Sequence, residues 1–429
     1  MTDNHSGNDG SQGSRVTATG SPVRLIHEQD FHAIATSRCW AEIDLSAFRR
    51  NLRRIREVLG EGVSILLPVK ADAYGHGCIE ISKTAREEGI SWFGVSAIEE
   101  AIGMRQQGID ARIVFLTPPL PDQIPLLLRY DVTPVLTSMD TALLLGKLAR
   151  QRGCPAPVHV EIDTGMSRTG FAWQRAAADI DCLSRIEGIR LEGVMTHFSK
   201  ADARQANYST LQRGRFLHVI EQLPESLREG LILHAANSAA SLRFPGVRFS
   251  MVRPGLYPYG VMPIPWVVKG VKEPEPVMSL RAKVLLAKTV ERGDKVSYGG
   301  RWTAPGRRRI ATVSAGYRDG VEYALSRGGR VLIRGRSYAI AGSVCMDMMM
   351  ADLVSDHQVA MGDIVTIIGR DGEESISVRE IAGISSTIPY DILCSVGMRV
   401  PRLYRMDGAV VKVQSFVGAV RRGAISDRA

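Results

Sequence analysis

The chain has 429 residues, 45% of them hydrophobic and 23% charged, with a formal net charge of +9. That length supports two or three domains with a full core, and the composition is ordinary for a soluble globular protein and argues against a membrane protein. The 54 Lys and Arg residues are scattered rather than gathered in a run, and aromatic residues do not alternate with them, so the charge fits an anionic cofactor and small substrate better than nucleic acid.

Six cysteines, at 39, 78, 154, 182, 345 and 394, stand far apart with no Cys-x-x-Cys pair. This spacing indicates neither a zinc site nor a disulfide framework, and a reducing cytoplasm is the simplest compartment. Residues 1–31, rich in Gly, Ser, Asn and Asp, lack the apolar stretch of a signal peptide and are expected to form a disordered tail.

Asp44-Leu45-Ser46 supplies a helix start, and Leu45, Phe48, Leu52, Ile55 and Leu59 then recur at helical spacing until Gly60. Strand-like runs follow near 63–69, 91–97, 112–117, 133–137, 157–163, 190–196, 230–235 and 248–253, separated by segments that mostly carry helical periodicity. Eight such βα units predict an α/β fold with a closed parallel (β/α)8 barrel of the TIM type over residues 32–270, an open doubly wound sheet being the alternative. From about Val271 the pattern changes to short β-rich runs (280–290, 309–315, 330–333, 338–341 and 363–368) between Gly and Asp turns. A mainly β domain is expected over 271–406, with a tail at 407–429.

In a barrel of this kind chemistry lies at the carboxyl ends of the strands, with phosphate held after the seventh and eighth. Lys70 sits at the exit of the apolar run Val63–Val69. A desolvated amine there loses basicity, and a neutral amine condenses with an aldehyde; a solvated lysine that ends a strand is the plainer alternative. After the seventh run, Asn237-Ser238 pairs an amide with a hydroxyl and opens a helix whose free N–H groups would face an anion. After the eighth, Arg253-Pro254-Gly255-Leu256 lets backbone approach a ligand closely at glycine.

The run Val69-Lys70-Ala71-Asp72-Ala73-Tyr74-Gly75-His76-Gly77 resembles the cofactor-lysine motif of the alanine racemases, and further motifs extend the resemblance from about Trp40 to Tyr404. It implies that Lys70 carries pyridoxal 5'-phosphate and acts as base on one face of the substrate. The second base would be Tyr298, in Lys295-Val296-Ser297-Tyr298-Gly299, supplied by the other subunit of a head-to-tail homodimer. A free phenol titrates near 10, so a base of this kind needs cations nearby. By the same resemblance Arg253 faces the pyridine nitrogen, His197 links it to Tyr298, and Tyr74, Ser238, Gly255 and Leu256 hold the phosphate.

The segment Asp163-Thr164-Gly165-Met166-Ser167-Arg168 is similar to the family's carboxylate-binding motif. Arg168 would pair the substrate carboxylate, completed by the backbone N–H of Met346 in Val344-Cys345-Met346-Asp347 of the partner. Asp163 and Asp347 read as orienting residues, and Tyr317 either lines an entry channel or packs within the β domain. Two departures stand out. Glu161 occupies the position of a lysine that many relatives carbamylate, so it is expected to replace the carbamate without bicarbonate. Met398 stands where the family tyrosine that touches the phosphate is expected, which suggests a looser pocket and turnover of serine or other small amino acids.

The expected activity is racemisation of L- and D-alanine, serving peptidoglycan precursor synthesis or breakdown of one enantiomer. The alternatives are a broader-specificity racemase, a non-catalytic cofactor-carrying barrel, and a fold-sharing decarboxylase.

Overall fold

The computed structural model describes Ala33 and residues 35–421, so the N-terminal segment expected to be a tail, residues 1–31, lies outside the described residues. Strand β1 (Cys39–Asp44) leads directly into helix α1 (Leu45–Leu59). The Asp44 side chain accepts a hydrogen bond from the Ala47 N–H at 2.8 Å, and Leu45, Phe48, Leu52, Ile55 and Leu59 are all buried, as their spacing predicts. This helix lays its apolar stripe against the barrel that follows.

The barrel strands are β2 (Ser64–Pro68), β3 (Trp92–Val95), β4 (Arg112–Phe115), β5 (Val132–Leu136), β6 (Ala156–Asp163), β7 (Ile189–Met195), β8 (Ile232–Asn237) and β9 (Met251–Arg253). All pair in parallel with their neighbours, and β9 returns to pair with β2, closing the ring. The eight expected runs are therefore the eight strands. Leu66, Val114, Val135, Met195 and Met251 form one buried cluster. His159 and His234 are also fully buried, on β6 and β8, so the barrel carries a polar strip as well as the usual apolar filling.

The second domain is one large sheet built around β10 (Met278–Val290). Strand β1 belongs to it: it runs antiparallel to β10 and parallel to Arg402–Met406. Strand Cys39–Asp44 thus lies in the β domain and α1 crosses from it to the barrel, so these six residues, expected in the barrel, belong to the second sheet. Ala409–Ser415 and Gly418–Arg421 continue the sheet beyond Met406, so much of the stretch expected to be a tail is strand. Two helices, Val378–Ser385 and Pro389–Ser395, accompany the strands of this mainly β domain.

Asn51, fully buried on α1, clasps the connection between the domains. Its amide donates to the carbonyls of Glu275 (2.8 Å) and Pro258 (3.3 Å), and its oxygen accepts from the Glu275 N–H at 2.8 Å. Replacing it leaves buried backbone groups without partners, at about 1–3 kcal/mol each. Asn51→Ala is therefore expected to lower unfolding free energy by about 2–3 kcal/mol in urea titration. A change under about 0.5 kcal/mol would show that water or a shifted linker satisfies these groups.

Candidate active site

Beyond β2 the backbone enters an unusual turn. Ala71, Asp72, Ala73 and Tyr74 all have φ between 51° and 53°, a left-handed helical turn made of L-residues other than glycine. Such backbone costs about 1–2 kcal/mol per residue, so its surroundings must hold it. The Ala73 N–H donates to the Val69 carbonyl (2.8 Å) and the Gly77 N–H to that of Asp72 (2.9 Å). The carboxylate of Asp72 accepts from Cys78 N–H (2.7 Å), and that of Glu100 accepts from the N–H groups of Ala71 (2.5 Å), Ser96 (3.0 Å) and Ala97 (3.1 Å).

Arg402 closes the turn from the β domain, donating to the Gly75 carbonyl from Nε (3.3 Å) and Nη2 (3.2 Å). Gly75 has φ 79°, and any side chain there would collide with the Leu393 carbonyl. His76, fully buried, has the Ala73 and Tyr74 carbonyls each 2.9 Å from Nδ1; carbonyls can only accept, so Nδ1 carries the proton and donates to them. Burial lowers its pKa to about 4, keeping it neutral. The turn begins with Lys70 half-buried at the barrel mouth. Its pKa is lowered, by burial first and by the positive charge of Arg168 next.

A cluster of hydroxyls lies beside it. Ser238 Oγ accepts the Leu256 N–H at 2.9 Å, and a Cβ at Gly255 would stand 3.0 Å from Tyr74 Oη and 3.4 Å from Tyr390 Oη. The rings of Tyr74 and Tyr390 pack at 5.5 Å, and Tyr74 meets Tyr259 edge-on at 5.1 Å. Asn237 is engaged in holding the loop: its Oδ1 accepts from Ala240 N–H (3.1 Å) and its Nδ2 donates to the Phe198 carbonyl (3.4 Å).

Tyr390 was not among the expected site residues. Met398, by contrast, is 81% exposed. The cluster takes its third hydroxyl from Tyr390. The overlooked signal was Pro389, which favours the first position of a helix and would have placed Tyr390 on a helix facing the barrel.

Arg253, at the end of β9, is 5% exposed. Its Nη1 donates to His234 Nδ1 (2.8 Å) and the His234 carbonyl (2.9 Å); its Nη2 donates to the carbonyls of Thr196 (2.7 Å) and Ala235 (3.3 Å) and lies 3.3 Å from His197 Nδ1. Only Nε–H has no acceptor among the described residues. Burial lowers the pKa of Arg253 to about 10, which still leaves a cation at neutral pH. Burial and then Arg253 hold His197 down at about 3, hence neutral.

The loop after β6 is pinned by Asp163, whose Oδ1 accepts from the N–H groups of Gly165 (2.9 Å), Met166 (2.9 Å) and Ser167 (3.0 Å). Arg168 next in line is exposed and makes no ion pair or hydrogen bond among the described residues. Glu161 accepts from the Thr169 hydroxyl at 2.7 Å, and burial raises its pKa.

The remaining expected residues lie on the β domain. Tyr298 is 76% exposed, and its hydroxyl has no partner among the described residues. Its loop is tied down by Ser297 Oγ, donating to the Ser343 carbonyl at 2.7 Å, and by Ser343 Oγ, donating to the Tyr298 carbonyl at 3.0 Å. Tyr317 is exposed on a short helical turn whose N–H groups, from Tyr317 and Arg318, bond the carbonyls of Cys345 (2.9 Å) and Met346 (3.1 Å). The Met346 N–H has no acceptor among the described residues. Asp347 receives Arg399 Nη2 at 2.7 Å. Lys70, Tyr74, Ser238, Gly255, Leu256, His197 and Arg253 thus converge at one barrel mouth, while Tyr298, Tyr317 and Met346 face solvent.

The donor set fits pyridoxal phosphate. It offers an amine of lowered pKa, a hydroxyl cluster around a glycine, and one guanidinium N–H with no protein acceptor.

Residues 43–263 match the family model for the alanine racemase N-terminal domain, and residues 277–404 that for the C-terminal domain. The alanine racemase of Halothermothrix orenii is 38% identical over 370 residues, 86% of this chain and 97% of that protein. The alanine racemase structure from Bacillus anthracis with bound L-Ala-P superposes with a TM-score of 0.82 at 35% identity, covering 89% of this chain and 98% of that one. The Bartonella henselae alanine racemase structure, with covalently bound pyridoxal phosphate, gives a TM-score of 0.76 at 26% identity over 86% of this chain and 99% of that one. With both domain models matched in order and relatives covered almost end to end, this chain belongs to the alanine racemase family.

Proposed function

We infer that the protein is a pyridoxal-phosphate-dependent alanine racemase, interconverting L- and D-alanine at sites shared between two copies of the chain. The observation that carries this reading is the meeting, at one barrel mouth, of the Lys70 amine, the hydroxyls around Gly255 and the unpaired Arg253 Nε–H. Bound pyridoxal phosphate supplies the electron sink that acidifies the substrate's Cα–H. The chain's own residues do the rest.

Lys70, held toward its neutral form, takes or returns the α-proton on one face. Tyr298 of the partner subunit does so on the other, a role that accounts for an exposed tyrosine on a firmly held loop. The Arg253 cation favours the phenolate through neutral His197, whose Nδ1 faces the guanidinium. Arginine can only donate, so Arg253 would offer its Nε–H to the cofactor's ring nitrogen and would not protonate it, which would moderate the sink and disfavour transamination. Arg168 binds the substrate carboxylate with two parallel hydrogen bonds, joined by the backbone N–H of the partner subunit's Met346. Tyr74, Ser238, Tyr390 and the backbone near Gly255 and Leu256 hold the phosphate. Such an enzyme fits a cytoplasmic supply of D-alanine for peptidoglycan.

Two measurements test this. In deuterium oxide the holoenzyme is expected to turn L-alanine into D-alanine carrying α-deuterium, with Lys70→Ala and Tyr298→Phe each slowed at least about 100-fold. Mixing and re-equilibrating the two inactive variants should restore about a quarter of wild-type activity, because each mixed dimer keeps one intact site. No recovery, with exchange of subunits verified by mass, would rule out shared sites. Separately, Glu161 supplies a carboxylate of its own beside Arg168, so activity should be indifferent to bicarbonate and Glu161→Gln should raise KM for alanine several-fold. Stimulation of the wild-type enzyme by bicarbonate would contradict this.

A further inference from the structure

A line of polar groups crosses the barrel interior from Arg253 toward the amino ends of the strands. Arg253 Nη1 lies 2.8 Å from His234 Nδ1, His234 Nε2 lies 2.7 Å from His159 Nδ1, and His159 Nε2 lies 3.7 Å from Glu192 Oε2. His159 and His234 are fully buried, and neither His159 Nε2 nor Glu192 Oε2 has a hydrogen-bond partner among the described residues. Gly193 makes the room: a Cβ there would come within 2.9 Å of His159 Cε1. The other oxygen of Glu192 is held by Arg112 and, at 3.3 Å, by Arg190.

The direction of this line follows from what each group can do. Arginine cannot accept, so His234 Nδ1 must, which leaves the proton of neutral His234 on Nε2. His159 Nδ1 then accepts, and its proton sits on Nε2, aimed at the carboxylate. Both hydrogen bonds point the same way, from guanidinium to His159, and the last gap, 3.7 Å to Glu192, is an electrostatic contact rather than a hydrogen bond. Glu192 stays ionised, because the contacts with His159 and Arg112 outweigh its burial and hold its pKa at about 2.

We propose that Glu192 and His159 are positioning residues for the racemase reaction, fixing the orientation of Arg253 through His234 from the far end of the barrel. An ionised carboxylate can only accept, so it permits one tautomer at each histidine and hence one that receives Arg253 Nη1. With Nη1 and Nη2 both held, Nε–H is the donor left to face the cofactor ring. An amide at 192 can donate as well as accept, which allows both tautomers to reverse and would set His234 Nδ1–H against the guanidinium.

The proposal rests on the reading that Arg253 faces pyridoxal phosphate, and its test has an arm independent of that reading. In wild-type protein labelled with 15N-histidine and free of cofactor, both His159 and His234, assigned through single His→Gln variants, should show neutral rings protonated at Nε2. Protonation at Nδ1, or a doubly protonated ring, in either residue would overturn it whatever the enzyme does. In the holoenzyme, Glu192→Gln should lower kcat about tenfold or more with KM within about twofold, and should change the ratio of the visible cofactor bands. Glu192→Asp should restore part of the loss, and Arg190→Ala, which removes only the outer contact, should behave as wild type. A folded Glu192→Gln enzyme with wild-type kcat and spectrum would sink the proposal; if that variant does not fold, the histidine tautomers decide alone.

Discussion

Four consecutive residues in left-handed backbone, Ala71 to Tyr74, are the constraint on which the site depends. At about 1–2 kcal/mol each they are expensive to hold, and only Asp72, whose carboxylate accepts the Cys78 N–H, has a side chain that supports the conformation. What holds them comes from three directions: Glu100 from the next βα unit, His76 from within the turn, and Arg402 from the other domain. The result is that Lys70 leaves its strand and Tyr74 returns to the barrel mouth within five residues.

The same turn explains why the barrel needs the β domain. The Gly75 carbonyl is held by Arg402, the space beside Gly75 is filled by the Leu393 backbone, and Tyr390 on that same short helix adds its hydroxyl to the cluster around Gly255. The β domain therefore has two faces with different duties. One braces the chain's own barrel, and the other leaves Tyr298, Tyr317 and Met346 exposed to solvent.

Much of this was legible in the sequence, and the failures have physical causes. The eight strands were readable because each is a short apolar run bounded by turns, and α1 because its buried residues repeat at helical spacing. The place of β1 was not, since the pattern of a strand says which face is buried and not which distant strand it pairs with; its partners lie some hundreds of residues away. The helix Val378–Ser385 carried a readable start, Ser377 three residues before Glu380, with the serine hydroxyl accepting the Glu380 N–H at 3.0 Å. The left-handed turn could not be read at all, because Ala-Asp-Ala-Tyr has no local preference for it and only tertiary partners impose it.

The central claim is that the amine at position 70 is the point of covalent attachment to the cofactor. Borohydride reduction of the pyridoxal-phosphate-loaded protein, followed by proteolysis and mass mapping, tests it most directly. The account predicts a single reduced adduct on the peptide containing Lys70 and its loss in Lys70→Ala; an adduct on any other lysine, or none on a catalytically active preparation, would contradict it.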